Sequence, residues 1–179
     1  MADYSSIVIL CEDRQQEVFA RHFLISSGID PHRIRPYTCP PGRQSGEQYV
    51  RINYPKHVIS YRKKCNHIEI GLVIITDADM ASVADKLSQL DQALLDENIP
   101  ARQSKEKIGI FVPKRNIETW IHYLMKRDVN ETDRYEHFRG KESICKPYVE
   151  ELAKKRRALL SANTPPSLND ACNELERIL

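Results

Sequence analysis

Glu69-Ile70-Gly71-Leu72-Val73-Ile74-Ile75-Thr76-Asp77-Ala78-Asp79 is the stretch that decides the fold. From Glu69 to Thr76 the run is unrelieved by polar alternation, the pattern of a central parallel strand covered on both faces. It then stops on two aspartates. A second apolar run, Ser6-Ile7-Val8-Ile9-Leu10-Cys11, stops in the same way on Glu12-Asp13 and is expected beside the first. In an open α/β sheet the carboxyl ends of the strands line the ligand crevice, so acids delivered there by two buried strands converge on one place. Clustered carboxylates repel one another, and a hard divalent cation is the usual remedy.

Working outward, Val18, Phe19, His22 and Phe23 recur at helical spacing over Gln15–Leu24, and Gly28 ends that helix. Arg33 to Thr38 suits a short edge strand, and Cys39-Pro40-Pro41-Gly42-Arg43-Gln44-Ser45-Gly46 is a loop. Glu47 to Lys64 reads as helical, with Pro55 expected to divide it into two pieces. Val83, Leu87, Leu90 and Leu94 mark an amphipathic helix, and Lys107–Val112 a further strand. Asn116 is placed to cap Ile117–Met125, with Glu118 in the first turn, where the helix dipole favours a negative charge. Ile144–Leu160 and Leu168–Leu179 read as two more helices, separated by Asn163-Thr164-Pro165-Pro166.

Alternating strands and helices predict a parallel sheet with right-handed crossovers and helices on both faces. The expectation is an α/β fold, three-layered and Rossmann-like, with a mostly parallel four-stranded sheet over residues 1–127. Residues 128–179 form a C-terminal helical tail packed on it, so that the whole is one compact unit. Neither Gly-x-Gly-x-x-Gly after the first strand nor Gly-x-x-x-x-Gly-Lys-Ser/Thr occurs, which excludes the common dinucleotide and P-loop cradles.

The 179 residues suffice for one real core, and 41% apolar with 29% charged residues is ordinary for a globular domain. No apolar run approaches the roughly 20 residues that cross a bilayer, and the N-terminus lacks a secretory pattern, so no membrane contact and a cytoplasmic location are expected. Cys11, Cys39, Cys65, Cys145 and Cys172 are scattered, and Cys65-Asn66-His67 has no answering pair, so zinc is not expected. A net charge of +2 is mild, but its distribution is not. Arg33, Arg35, Arg43, Arg51, Lys56, Arg62, Lys63 and Lys64 fall in one stretch, Lys105, Lys107, Lys114 and Arg115 flank a strand, and Lys154-Lys155-Arg156-Arg157 forms a run. Taken alone, each cluster also reads as a solvated face.

The order strand-Glu12, helix, strand, helix, strand-Asp77-Ala78-Asp79, helix resembles the Toprim fold. That fold is shared by topoisomerases, bacterial-type primases, a ribosomal-RNA maturation nuclease and OLD-type nucleases of phage defence. Glu17 approximately matches a second acid on the first helix of OLD-like members. Val112-Pro113-Lys114-Arg115-Asn116-Ile117-Glu118-Thr119-Trp120 looks like a strand-Pro and Glu-x-Trp element of small Toprim-like defence proteins. The resemblance covers residues 6–125 and departs at Asp13, where a glycine is common.

What the resemblance implies is a Mg2+- or Mn2+-dependent endonuclease acting in phage defence. Glu12, Asp77 and Asp79 would hold the ion and carry catalysis, and Glu17 and Glu118 would complete a second ion site or hold waters. Lys114 would neutralise charge on the phosphate. A nucleic acid would be the substrate, with Arg43, Arg51, Lys114 and Arg115 on its backbone. An ATPase partner and self-association are further expectations of the same kind. The plainer readings are that Asp79 caps the following helix, that Glu17 is a solvated helix residue, and that Trp120 and Tyr49, Tyr54 and Tyr61 are core. The rival reading is a phosphoryl receiver, which Glu12-Asp13, Asp77 and Lys114 satisfy in outline, or a catalytically silent module that binds an ATPase.

Overall fold

The computed structural model describes residues 5–42, 44–156 and 163–179. The two apolar runs become β1 (Ser6–Cys11) and β3 (Ile70–Ile75), paired in parallel from Ser6 opposite Ile70 to Cys11 opposite Ile75. β2 (Ile34–Thr38) lies outside β1, and β4 (Ile108–Phe111) outside β3. The order β2-β1-β3-β4 is parallel throughout.

Side-chain alternation sorts these strands onto two cores. Ile7, Ile9, Cys11, Val73, Ile75 and Phe111 face α1 (Arg14–Ser26), α4 (Ile117–Leu124), α5 (Lys146–Lys155) and α6 (Pro166–Glu176). Leu10, Leu72, Ile74, Ile108, Ile110 and Val112 face α2 (Gly46–Lys64) and α3 (Val83–Asp96). The result is a three-layer, Rossmann-like α/β fold. Trp120 is fully buried on the first side, packed on Phe19 and donating to Ser167 Oγ at 2.8 Å, so it is a core anchor. Tyr54 and Tyr61 are likewise core, on the second side.

Two expectations need correction. α2 is one unbroken helix, with Pro55 inside it. An interior proline costs about 3 kcal/mol, but Val50, Tyr54, Val58 and Tyr61 form one buried stripe spanning it, and burying each side chain contributes about 1.5–3 kcal/mol. Breaking the axis would lift half of that stripe, so packing wins. The first tail helix also starts differently, as a 3-10 turn at Glu142–Cys145 followed by α5, while residues 157–160 lie outside the described residues.

The tail is attached at both ends of the sheet's first face. α5 packs on α1, and α6 lies so close to β4 that a Cβ on Gly109 would come within 3.1 Å of Glu174 O. There Glu174 Oε2 accepts from Ile110 N at 2.8 Å, and Arg102 closes on the same carboxylate. That fills a backbone position left open at the outer edge of β4. No helix among the described residues is long and apolar enough to cross a membrane.

Candidate functional site

β1 and β3 end side by side, and the two residues that follow them meet. Glu12 Oε1 accepts from Asp77 N at 2.8 Å and from the Thr76 hydroxyl, so the carboxylate at the end of β1 is tied to the backbone at the end of β3. Glu12 N donates to Gln16 Oε1 at 3.0 Å, which fixes the turn into α1. Burial pushes the Glu12 carboxyl up to about 7, against the hydrogen bonds from Thr76 and Asp77 and the charge of Lys86. The first turn of α2 presses on it from above. A Cβ on Gly46 would sit 2.5 Å from Glu12 Cβ and 2.9 Å from Glu12 O, so only glycine fits there.

Asp77 is buried, and its Oδ1 has no hydrogen-bond partner. Burial first, then the charges of Glu12, Asp13, Glu118 and Asp79, hold its carboxyl well above the usual carboxylate range. Glu118, in the first turn of α4, is 1% exposed. Its Oε1 accepts from His137 Nδ1 at 2.8 Å, and its Oε2 is buried without a partner. Burial raises this carboxyl too, with Asp13 adding to the effect and the hydrogen bond from His137 opposing it. Two buried carboxylates, each with an orphaned oxygen, form the centre of the cluster, with the charge of Glu118 acting on Asp77 and that of Asp13 acting on both.

Asp79 is exposed and sits at φ +52°, a conformation uncommon for a residue with a side chain. It is not the cap of α3, because Ser82 takes that role in a capping box with Asp85. Its charge acts on both Glu12 and Asp77. Glu17 is spoken for elsewhere: Arg14 pairs with Oε1, and Thr38 Oγ1 donates to Oε2 at 2.7 Å. It ties the end of β2 to α1.

The basic candidates are dispersed as well. Lys114 Nζ donates to Ala81 O at 2.6 Å and so braces the loop after Asp79 instead of facing the carboxylates. Arg115 contacts the Met80 sulfur, with its Nε buried and unpaired. Arg51 pairs with Glu47 at 3.3 Å on the exposed face of α2. Arg43 lies outside the described residues. The run Lys154–Arg156 is matched pair by pair with Glu150, Glu151 and Glu176.

Three contributors, Thr76, Lys86 and His137, escaped the sequence reading, and Asp13, read there as one of the converging acids, gains a second role as a helix cap. Thr76 supplies a hydroxyl to Glu12. Lys86, buried on α3 at 5% exposure, lies 3.7 Å from Glu47 and is the cation whose charge lowers the Glu12 carboxyl. Asp13 caps α1 through a bond from Gln16 N at 2.9 Å, while its charge acts on Asp77 and Glu118. His137 comes from a stretch with no periodicity to announce it. Beside Glu118 and Asp13 opens a cavity of about 190 Å³, walled by His137 and Arg139 on one side and Arg14 and Gln15 on the other. Asp13 and Glu118 are the members of the acid cluster that line it.

The donor set is all oxygen and suits a hard cation that keeps several of its own waters. Among the described residues, no three His, Cys, Asp or Glu side chains already stand together in coordinating positions. The fit rests on the two partnerless oxygens of Asp77 and Glu118, with Glu12 and Asp13 near them. Comparison with family models, with curated proteins and with solved structures found no match, which leaves the chemistry of these side chains as the guide to function.

Proposed function

We propose that this protein is a divalent-metal-dependent nuclease that hydrolyses phosphodiester bonds in DNA or RNA. The observation that carries the proposal is the pair of buried, partnerless oxygens on Asp77 and Glu118, in carboxyls pushed toward protonation first by burial, then by the charges of Glu12, Asp13 and Glu118 at Asp77 and of Asp13 at Glu118. A polar group buried without a partner costs about 1–3 kcal/mol, and more if charged, so two together call for a counter-ion. Asp77, Glu12 and Glu118 would hold Mg2+ or Mn2+, with Asp79 at the open side. Bound there, the ion would neutralise phosphate charge and lower the pKa of a water.

The residues themselves do the positioning. Thr76 and the Asp77 backbone fix one oxygen of Glu12, His137 fixes one of Glu118, and Lys86 offsets part of the negative charge from behind. Arg14 and Arg139 flank the cavity through which a phosphate would enter. Against the receiver reading, Lys114 is bound to Ala81 O and does not face Asp77. Membership of the Toprim fold, service in phage defence and an ATPase partner are implied by the sequence resemblance, and the carboxylate arrangement is what supports extending it here.

The test is cleavage of plasmid DNA and structured RNA in Mn2+ or Mg2+, with Mn2+ binding followed by calorimetry on the same samples. Wild type is expected to bind Mn2+ and cleave, and Asp77→Ala to lose both, with at least a ~10³-fold drop in rate. Equal cleavage by Asp77→Ala, or Mn2+ binding unchanged by it, overturns the assignment.

A further inference from the structure

The densest charge asymmetry in the chain lies away from the carboxylates. Arg33 to Lys64 holds eight arginines and lysines against one acid, Glu47. Unlike the run at residues 154–156, most of this charge is not matched at home. Arg51 is paired with Glu47 and Arg62 with Glu106, but no acidic side chain reaches Arg35, Lys56, Lys63 or Lys64 among the described residues. All four are exposed.

They share a surface with exposed aromatic and apolar groups. In β2, Arg35 and Tyr37 stand opposite Val8 and Leu10, so both point to the α2 side of the sheet. Tyr37 is 46% exposed, unusual for a strand residue on a covered face, and its ring meets that of His57 at 4.8 Å. His57 sits on α2 one residue from Lys56, and it also lines a groove of about 80 Å³ that continues past Ser60 to Lys64. Burial, with the charge of Lys56, lowers the His57 pKa and so favours the neutral ring as the partner of Tyr37. The surface starts at the end of β2, where Thr38 adjoins Cys11, one residue before Glu12. It runs down α2 away from the acids.

We propose that the β2–α2 surface is a track for a single-stranded polynucleotide, with phosphates on Arg35, Lys56, Lys63 and Lys64 and a base stacked on the Tyr37–His57 pair. Charge complementarity selects the polyanion, and an exposed ring selects unpaired bases, because every base offers a π-face only when it is out of a duplex. The track deepens the nuclease reading, since it would lead a strand to the carboxylates. Binding itself needs no cleavage.

The experiment measures fluorescence anisotropy of labelled 20-nucleotide DNA and RNA single strands, and of the matching duplex, in EDTA across a salt series. Single strands are expected to bind more tightly than the duplex. Lys56→Ala/Lys63→Ala/Lys64→Ala should weaken them at least tenfold and flatten the slope of log K against log salt by about 2, from about 0.7 per contacted phosphate. Tyr37→Ala should weaken binding at least fivefold with the slope unchanged. All four residues are exposed, so folding survives the changes. Wild-type-like binding by both variants overturns the track, as does preference for the duplex or equally strong competition by polyglutamate. Asp77→Ala separates the two proposals: it should bind the strand as wild type does, so that cleavage can fail while the track stands, and the reverse.

Discussion

Two carboxylate settings, at Glu174 and at Asp77 with Glu118, show how differently this fold treats a partly or wholly buried acid. At the outer edge of β4, Glu174 takes a backbone N–H from Ile110 and a guanidinium from Arg102, so its charge is answered on the spot. After β3 and in the first turn of α4, Asp77 and Glu118 each leave an oxygen bare, while Glu12, Asp13 and Asp79 add negative charge around Asp77 and Asp13 does so around Glu118. A structural carboxylate brings its counter-charge within the chain. The other setting leaves that place for something else.

The largest expected difference is in activity. Glu118→Gln should lower divalent-dependent cleavage by about 10³-fold or more, whereas Glu174→Gln should leave the rate per folded molecule unchanged, read from initial rates at saturating Mn2+. If both lose activity alike, the two settings are not distinct in kind.

Next comes pH. Glu12 carries a folded-state pKa of about 7 against an ordinary 4.5, and Asp77 is raised in the same direction. Their neutral forms are favoured in the fold, so that contribution is complete below the ordinary carboxylate range and is lost as pH rises through the folded values. In EDTA, urea melts should show stability falling by about 3 kcal/mol between pH 4.5 and 7. Asp77→Asn should flatten that fall, and Glu174→Gln should leave its shape intact. A stability that rises over this window in wild type would refute the account.

Smaller again is the effect of the ion. At a hundredfold excess over Kd, Mn2+ should raise wild-type stability at pH 7 by about 2.7 kcal/mol and leave Asp77→Asn unmoved. The smallest effect falls on the paired carboxylate: Glu174→Gln should cost about 2 kcal/mol, since it removes one charge-assisted pair that is partly exposed, and thermal melts at constant pH measure it.

The sheet was largely legible because apolar runs at Ser6–Cys11 and Ile70–Ile75 have one physical use, and a parallel sheet fixes where their acids end. Convergence of Glu12 and Asp77 followed from that. Pro55 misled because local backbone cost is visible in sequence, while the buried stripe that outweighs it depends on the sheet beneath. The partners of Glu17 were hidden for a related reason: its direction depends on where β2 ends, and Thr38 bonds to it there. The burial of Lys86 depends on how α2 sets Glu47 against it, and His137 sits in a stretch whose position is set by contacts, not by period. Gly46, among loop residues, carried a hint in being the glycine where α2 begins.

That glycine makes the molecule sensitive to a single methyl group. With 2.5 Å between its missing Cβ and Glu12 Cβ, an alanine acts as a wedge under one end of a rigid 19-residue rod. The rod also carries Glu47, which approaches Lys86, and His57, which touches Tyr37. One atom at position 46 would therefore displace contacts to α3 and to β2 together, making the residue a gauge by which the acid cluster and the neighbouring basic surface are kept in register.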